Sequence, residues 1–159
     1  MTRRQRSVAA AGALAILAAA SAWSQSNEVI DALLAEEQAT LGKAADLVLT
    51  AAGIVEETRS VDEAFAALQE RPWGFAGAAA ADRVSLGSFA SLVMRAFDMR
   101  GGLMYRLTHA RRYAAREFAY RDFIQGDTAP GRTLSGRDVT HALGRVLESL
   151  GQRSMEVAQ

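Results

Sequence analysis

Twice in this chain a helical pattern halts at a glycine, crosses a loop and restarts at a serine, and this rhythm constrains the fold more than any other feature. In the first instance residues 61–70 are helical in pattern, Trp73-Gly74-Phe75 turn the chain, and an alanine- and glycine-rich link leads to Ser85. Beyond it Leu86, Phe89, Leu92, Val93, Ala96 and Phe97 recur at helical spacing. In the second, residues 110–123 are helical in pattern, Ile124-Gln125-Gly126 stop them, and the loop "DTAPGRTL" precedes Ser135. Val139, Leu143, Val146, Leu147 and Leu150 then make the apolar stripe of a final helix. One helix pair cannot bury its apolar face alone, so a repeated pair implies units that stack on a shared core.

Few aromatics (7%) and only two prolines agree with a mostly helical chain. The expected fold class is all-α. A long N-terminal helix over residues 26–53 leads, capped by Ser26 or Asn27 and carrying Ile30, Leu33, Leu34, Leu41, Ala44, Ala45 and Val48 on one face. Two helix-loop-helix units, residues 60–101 and 108–151, follow on a shared core, giving one helical domain over residues 23–151. The sharpest local signal is "SVDEAFAALQERPW", where Ser60 and Glu63 form a capping box and Pro72 ends the helix. "LMYRLTH" reads as a short, extended piece after Gly101 and Gly102. Residues 152–159 read as a loose tail after a stop at Gly151.

The first 22 residues have the layout of a secretory signal peptide. Arg3, Arg4 and Arg6 precede an apolar run from Val8 to Ala20, and Ala20-Ser21-Ala22 fits the cleavage pattern. That run is shorter than the ~20 residues a membrane span needs. The expectation is an exported protein, periplasmic or envelope-associated, with no integral span once the signal is removed. Removal takes 18 basic residues to 15 against 18 acidic ones, a net charge near −3 that offers no global attraction to nucleic acid. The chain has no cysteine, so neither disulfides nor a cysteine-linked lipid is available to it.

The second unit, "RRYAAREFAYRDFIQGDTAPGRTLSGRDVTHALGRVL", resembles a bacterial S-layer-homology (SLH) repeat. Tyr113 and Ala114 match the opening of that family's first helix, Ile124 and Gly126 its glycine stop, and Pro130 with Leu134 its loop. "ERPWGFAGAAAADRVSLGSFASLVMRAF" is similar to a more degenerate copy. At the family's T-R-A-E position the two copies read Ser135-Gly136-Arg137-Asp138 and Ser85-Leu86-Gly87-Ser88. The resemblance implies non-covalent attachment to cell-wall polysaccharide. The ligand-binding candidates are Trp73, Arg132, Ser135 and Arg137, with Ser85 in the first copy. Arginine offers a fork of donors to carboxylate or phosphate, an aromatic face suits a sugar ring, and a serine-led helix start presents free N–H groups. Each has a plainer role open to it: core plug for Trp73, helix cap for the serines, solvated surface for the arginines.

No catalytic residue, metal ligand or cofactor is expected. His141 and Asp138 stand at helical spacing but lack an evident nucleophile, and the spacing of Asp122, Asp127 and Asp138 fits no calcium loop. The expected function is binding or scaffolding, with cell-wall glycan or an envelope protein as partner. The alternative is a periplasmic protein-interaction module that uses the long N-terminal helix.

Overall fold

A computed structural model describes residues 31, 33–56 and 60–157. Among them six helices follow one another: α1 (Leu41–Ala51), α2 (Val61–Gln69), α3 (Leu86–Ala96), α4 (Leu103–Thr108), α5 (Arg111–Tyr120) and α6 (Gly136–Val157). The described residues hold no strand, only two isolated antiparallel bridges, Thr40 with Arg83 and Ser85 with Thr133. The all-α expectation therefore stands. None of the described helices is long and apolar enough to cross a membrane. The signal segment lies outside the described residues.

Local chemistry sets half of the six described helix starts. The Ser60 hydroxyl accepts from the Glu63 N–H at 3.3 Å, and the Glu63 carboxylate accepts from the Ser60 N–H at 3.1 Å. This reciprocal pair satisfies two donors that the first turn of α2 would otherwise leave without partners. Ser85 caps α3 through the Ser88 N–H at 3.3 Å.

Three expectations fail. The run over residues 26–53 is not one helix: residues 36–40 leave the helical path and a new helix starts at Leu41. Residues 26–30 lie outside the described part. The break falls in "AEEQA", between Leu34 and Leu41, where the chain leaves the helix to bond the Leu134 and Asp82 carbonyls. Glu36 then turns back, accepting the Thr40 N–H at 3.1 Å and pairing with Lys43 at 2.6 Å. "LMYRLTH" is helical rather than extended over Leu103–Thr108. The Glu117 carboxylate holds the Gly102 N–H at 2.8 Å, and Tyr105 is the only residue of α4 that is buried. The last helix continues past Gly151 to Val157, so the stretch expected as a loose tail is helical as far as it is described. A helical glycine costs about 1 kcal/mol, which weakens a helix without stopping it.

The centre of the fold is a closed cycle of backbone hydrogen bonds. Ala39 N–H donates to the Leu134 carbonyl (2.8 Å), Leu134 N–H to Val84 (3.0 Å), and Val84 N–H to Ala39 (2.9 Å). All three residues are fully buried. Each is followed by a hydroxyl residue, Thr40, Ser85 or Ser135, and then by a helix. The first helical N–H groups repeat the pattern one layer out: Leu41 donates to Asp82, Leu86 to Arg132 and Gly136 to Glu36. Gly42 and Gly87 extend it, each donating at 2.8 Å to Ala80 and Pro130. Three helix N-termini thus satisfy their orphan donors on a neighbouring loop, where a buried terminus needs such partners. The sequence shows two such starts, at Ser85 and Ser135. The structure adds a third at Thr40, inside what reads as a continuous leading helix.

Around this cycle α1 packs on α2 and α3, and α3 packs on α5. Phe118 of α5 lies at the centre of an aromatic trio, edge-to-face with Phe89 (6.0 Å) and Phe123 (5.4 Å).

On α1 the half-buried Asp46 makes no hydrogen bond or ion pair among the described residues, and burial pushes its carboxyl up from the usual value. A carboxyl with a raised folded-state pKa costs stability once pH exceeds that value, and costs nothing below the unfolded-state value. Asp46→Asn is therefore expected to raise the thermal midpoint at pH 7. The gain should fade on acidification and vanish below about pH 4, as scanning calorimetry across that range will show.

Candidate functional site

The loop after α5 folds back on the start of α6. Arg132 makes this happen. Its Nη2 donates to both Asp138 carboxylate oxygens at 3.0 Å, and its Nη1 donates to the Gln125 and Asp127 carbonyls at 2.9 Å. One guanidinium nitrogen thus serves the carboxylate while the other serves the loop. Both side chains are mostly buried. The Asp127 carboxylate adds a local turn by accepting the Ala129 N–H at 2.9 Å.

Ser135 completes the clamp. Its N–H and its hydroxyl both donate to Asp138 Oδ2, at 3.1 and 3.0 Å, and its oxygen accepts the Asp138 N–H at 3.1 Å. This is the Ser60–Glu63 arrangement with aspartate in place of glutamate, and it also puts a negative charge at the positive end of α6.

A cavity of about 100 Å³ adjoins the clamp, lined by Phe123, Ile124, Gln125, Asp138, His141, Ala142 and Arg145. His141 and Arg145 are one turn apart on α6 and both are exposed. Arg145 also donates to the Asp122 carbonyl. Asp122 sits at φ 61°, in the left-handed region that few non-glycine residues adopt, so Arg145 braces the turn that carries Phe123. The cavity thus presents an imidazole and a guanidinium over buried apolar residues.

The remaining candidates lie elsewhere. Arg137 is exposed and faces a shallower hollow with Leu34, Ala35, Glu36, Glu37 and Ser135. Trp73 is half-buried in the loop after α2, with the Arg71 guanidinium 5.3 Å from its ring centre. Ser85 is half-buried as the α3 cap, its hydroxyl 3.0 Å from that of Ser88. The structure therefore brings Arg132 and Ser135 together through Asp138. It sets Arg137 beside a different hollow, and Trp73 lines neither.

Sequence reasoning passed over Arg145 and Phe123. Arg145 had a usable signal, its four-residue spacing from His141. Phe123 had none, since its position depends on the turn at Asp122. Among the described residues no group of histidine, aspartate and glutamate could hold a metal ion. No family model, no curated protein and no solved structure matches the chain.

Proposed function

We propose that the protein is a non-catalytic, exported protein of the cell envelope that binds or scaffolds there, attaching to cell-wall polysaccharide through SLH-like helix-loop-helix units. The observation that carries this reading is the cavity beside the Arg132–Asp138–Ser135 clamp, where the exposed His141 and Arg145 side chains stand over buried Phe123 and Ile124. A polymer bearing carboxylate or phosphate suits that lining, because the Arg145 guanidinium offers forked donors to the acid. Ser135 gives its hydroxyl proton to Asp138, and Asp138 uses both oxygens on Arg132. The cycle of three hydroxyl-led helix starts supports the likeness to SLH units, which also stack helix pairs. The competing interaction module rests on a long free leading helix, whereas α1 is packed into the core and separated from residues 31–35 by a break.

The test is retention of the mature chain, residues 23–159, on purified wall sacculi. The unmodified protein is expected to sediment with them. His141→Ala combined with Arg145→Ala is expected to weaken retention about tenfold or more, since a charge-assisted hydrogen bond contributes roughly 1.5–3 kcal/mol. Failure of the unmodified protein to sediment overturns the reading, while full retention of the double variant moves the site and keeps the ligand. Arg132→Ala is a different experiment. It removes a partly buried bidentate pair and two loop contacts, and is expected to cost about 2 kcal/mol in urea unfolding.

A further inference from the structure

Helix α4 carries three large apolar side chains that are exposed among the described residues. Leu103 is 66% exposed, Met104 53% and Leu107 70%, while Tyr105 points the other way into the core. The spacing of Leu103 and Leu107 puts them on one face, with Met104 beside them. Their surroundings are strongly basic. Between Asp98 and Glu117 the chain carries five arginines, Arg100, Arg106, Arg111, Arg112 and Arg116, and no acidic residue. Arg100, Arg106, Arg112 and Arg116 are exposed. Of the bracketing acids, Asp98 is exposed, and Glu117 is engaged by the Gly102 N–H and by Arg121.

We infer that α4 and its arginine-rich flanks form a peripheral contact with an anionic lipid surface. Size and charge favour lipid over protein. Three exposed side chains on a six-residue helix make an apolar patch of roughly a few hundred Å². That is less than the ~800 Å² each partner contributes to a stable protein interface. A lipid interface needs no complementary pocket: apolar side chains enter the acyl boundary, and arginines reach back to anionic headgroups. Arg106 lies within α4 and Arg100 just before it, where both can do so while Leu103, Met104 and Leu107 insert. The inference is independent of the wall polymer, because it uses a different surface and a different chemistry.

The chain has no cysteine, so a single introduced thiol reports on one position. Met104→Cys labelled with an environment-sensitive fluorophore is titrated with vesicles of phosphatidylglycerol and phosphatidylcholine. A label on Glu148→Cys, exposed on α6, controls for membrane binding through any other part of the chain. The expected result is a blue shift and rise in emission for position 104 with anionic vesicles, little change with pure phosphatidylcholine, and none at position 148. Arg100→Gln with Arg106→Gln is expected to raise the vesicle concentration for half-maximal shift about tenfold, and 1 M salt to act likewise. An unchanged signal at position 104 with anionic vesicles overturns the inference. So does a shift of equal size with neutral vesicles. A signal at position 104 already blue-shifted in buffer and indifferent to lipid gives the patch to residues 1–30, and one that shifts with protein concentration alone gives it to a second copy; either overturns it.

Discussion

Gly136→Ala is expected to destabilise the protein by about 3–5 kcal/mol, the combined scale of an overpacked core position and a lost buried backbone hydrogen bond. The sign is the informative part. In an ordinary helix the same change gains up to ~1 kcal/mol, because glycine loses more backbone entropy on folding than alanine. Here a methyl group on Gly136 would stand 2.5 Å from the Leu33 carbonyl carbon and closer still to its oxygen. These are backbone atoms and cannot swing aside as a side chain does. Relief requires the start of α6 to withdraw from residues 33–36, which breaks the 3.0 Å bond from Gly136 N–H to the Glu36 carbonyl. Leu134, two residues earlier, is bonded to both other members of the central cycle, so the withdrawal spreads. Gly144 lies on the same helix with nothing within 4 Å of an added methyl. Gly144→Ala is expected to be neutral or to stabilise by up to ~1 kcal/mol. Urea unfolding of the two variants side by side gives the result, and equal signs would show that the α6 start is not clamped as described.

Phe118→Ala is expected to cost about 3–5 kcal/mol, the usual range for emptying a buried phenylalanine site. Phe118 is fully buried and meets Phe89 and Phe123 edge-to-face, at interplanar angles of 82° and 80°. Such pairs add roughly 0.5–1.5 kcal/mol each beyond area burial. Phe89 belongs to α3 and Phe123 to the turn that walls the cavity beside Asp138. Loss of Phe118 therefore loosens both the α3–α5 contact and the cavity wall. Combining Phe118→Ala with Phe89→Ala should cost less than the separate losses summed, by an amount a double-mutant cycle in urea can resolve. Strict additivity would mean the two rings are not coupled.

What could be read from the chain was whatever its chemistry settles within a few residues. Ser60 with Glu63, Pro72, and the serines at 85 and 135 each declare a helix boundary through partners at most three positions away, and the structure has boundaries at all four. The break near Thr40 was hidden because the apolar spacing stays in helical phase on both sides of it. Its deciding partners, Ala80, Asp82 and Leu134, are remote in sequence. The same holds for α4, whose start is pinned by Glu117, fifteen positions on. At the site, Arg132 and Ser135 were legible as a pair worth noting, since arginine and serine near a helix start suit an anion. The guanidinium turns inward because the Gln125 and Asp127 carbonyls and the Asp138 carboxylate converge on one point, and only the closed loop creates that point.

The central cycle also governs how the chain must assemble. Its closing bond, from Ala39 to Leu134, joins residues 95 positions apart, whereas helices and caps form locally. Loop-closure entropy for such a pairing is spent before the contact rewards it, which makes closure a late event. Until residues near 134 have been synthesised, Ala39 and Val84 lack the third participant, and nothing shorter can substitute. A nascent chain therefore stays open for most of its length.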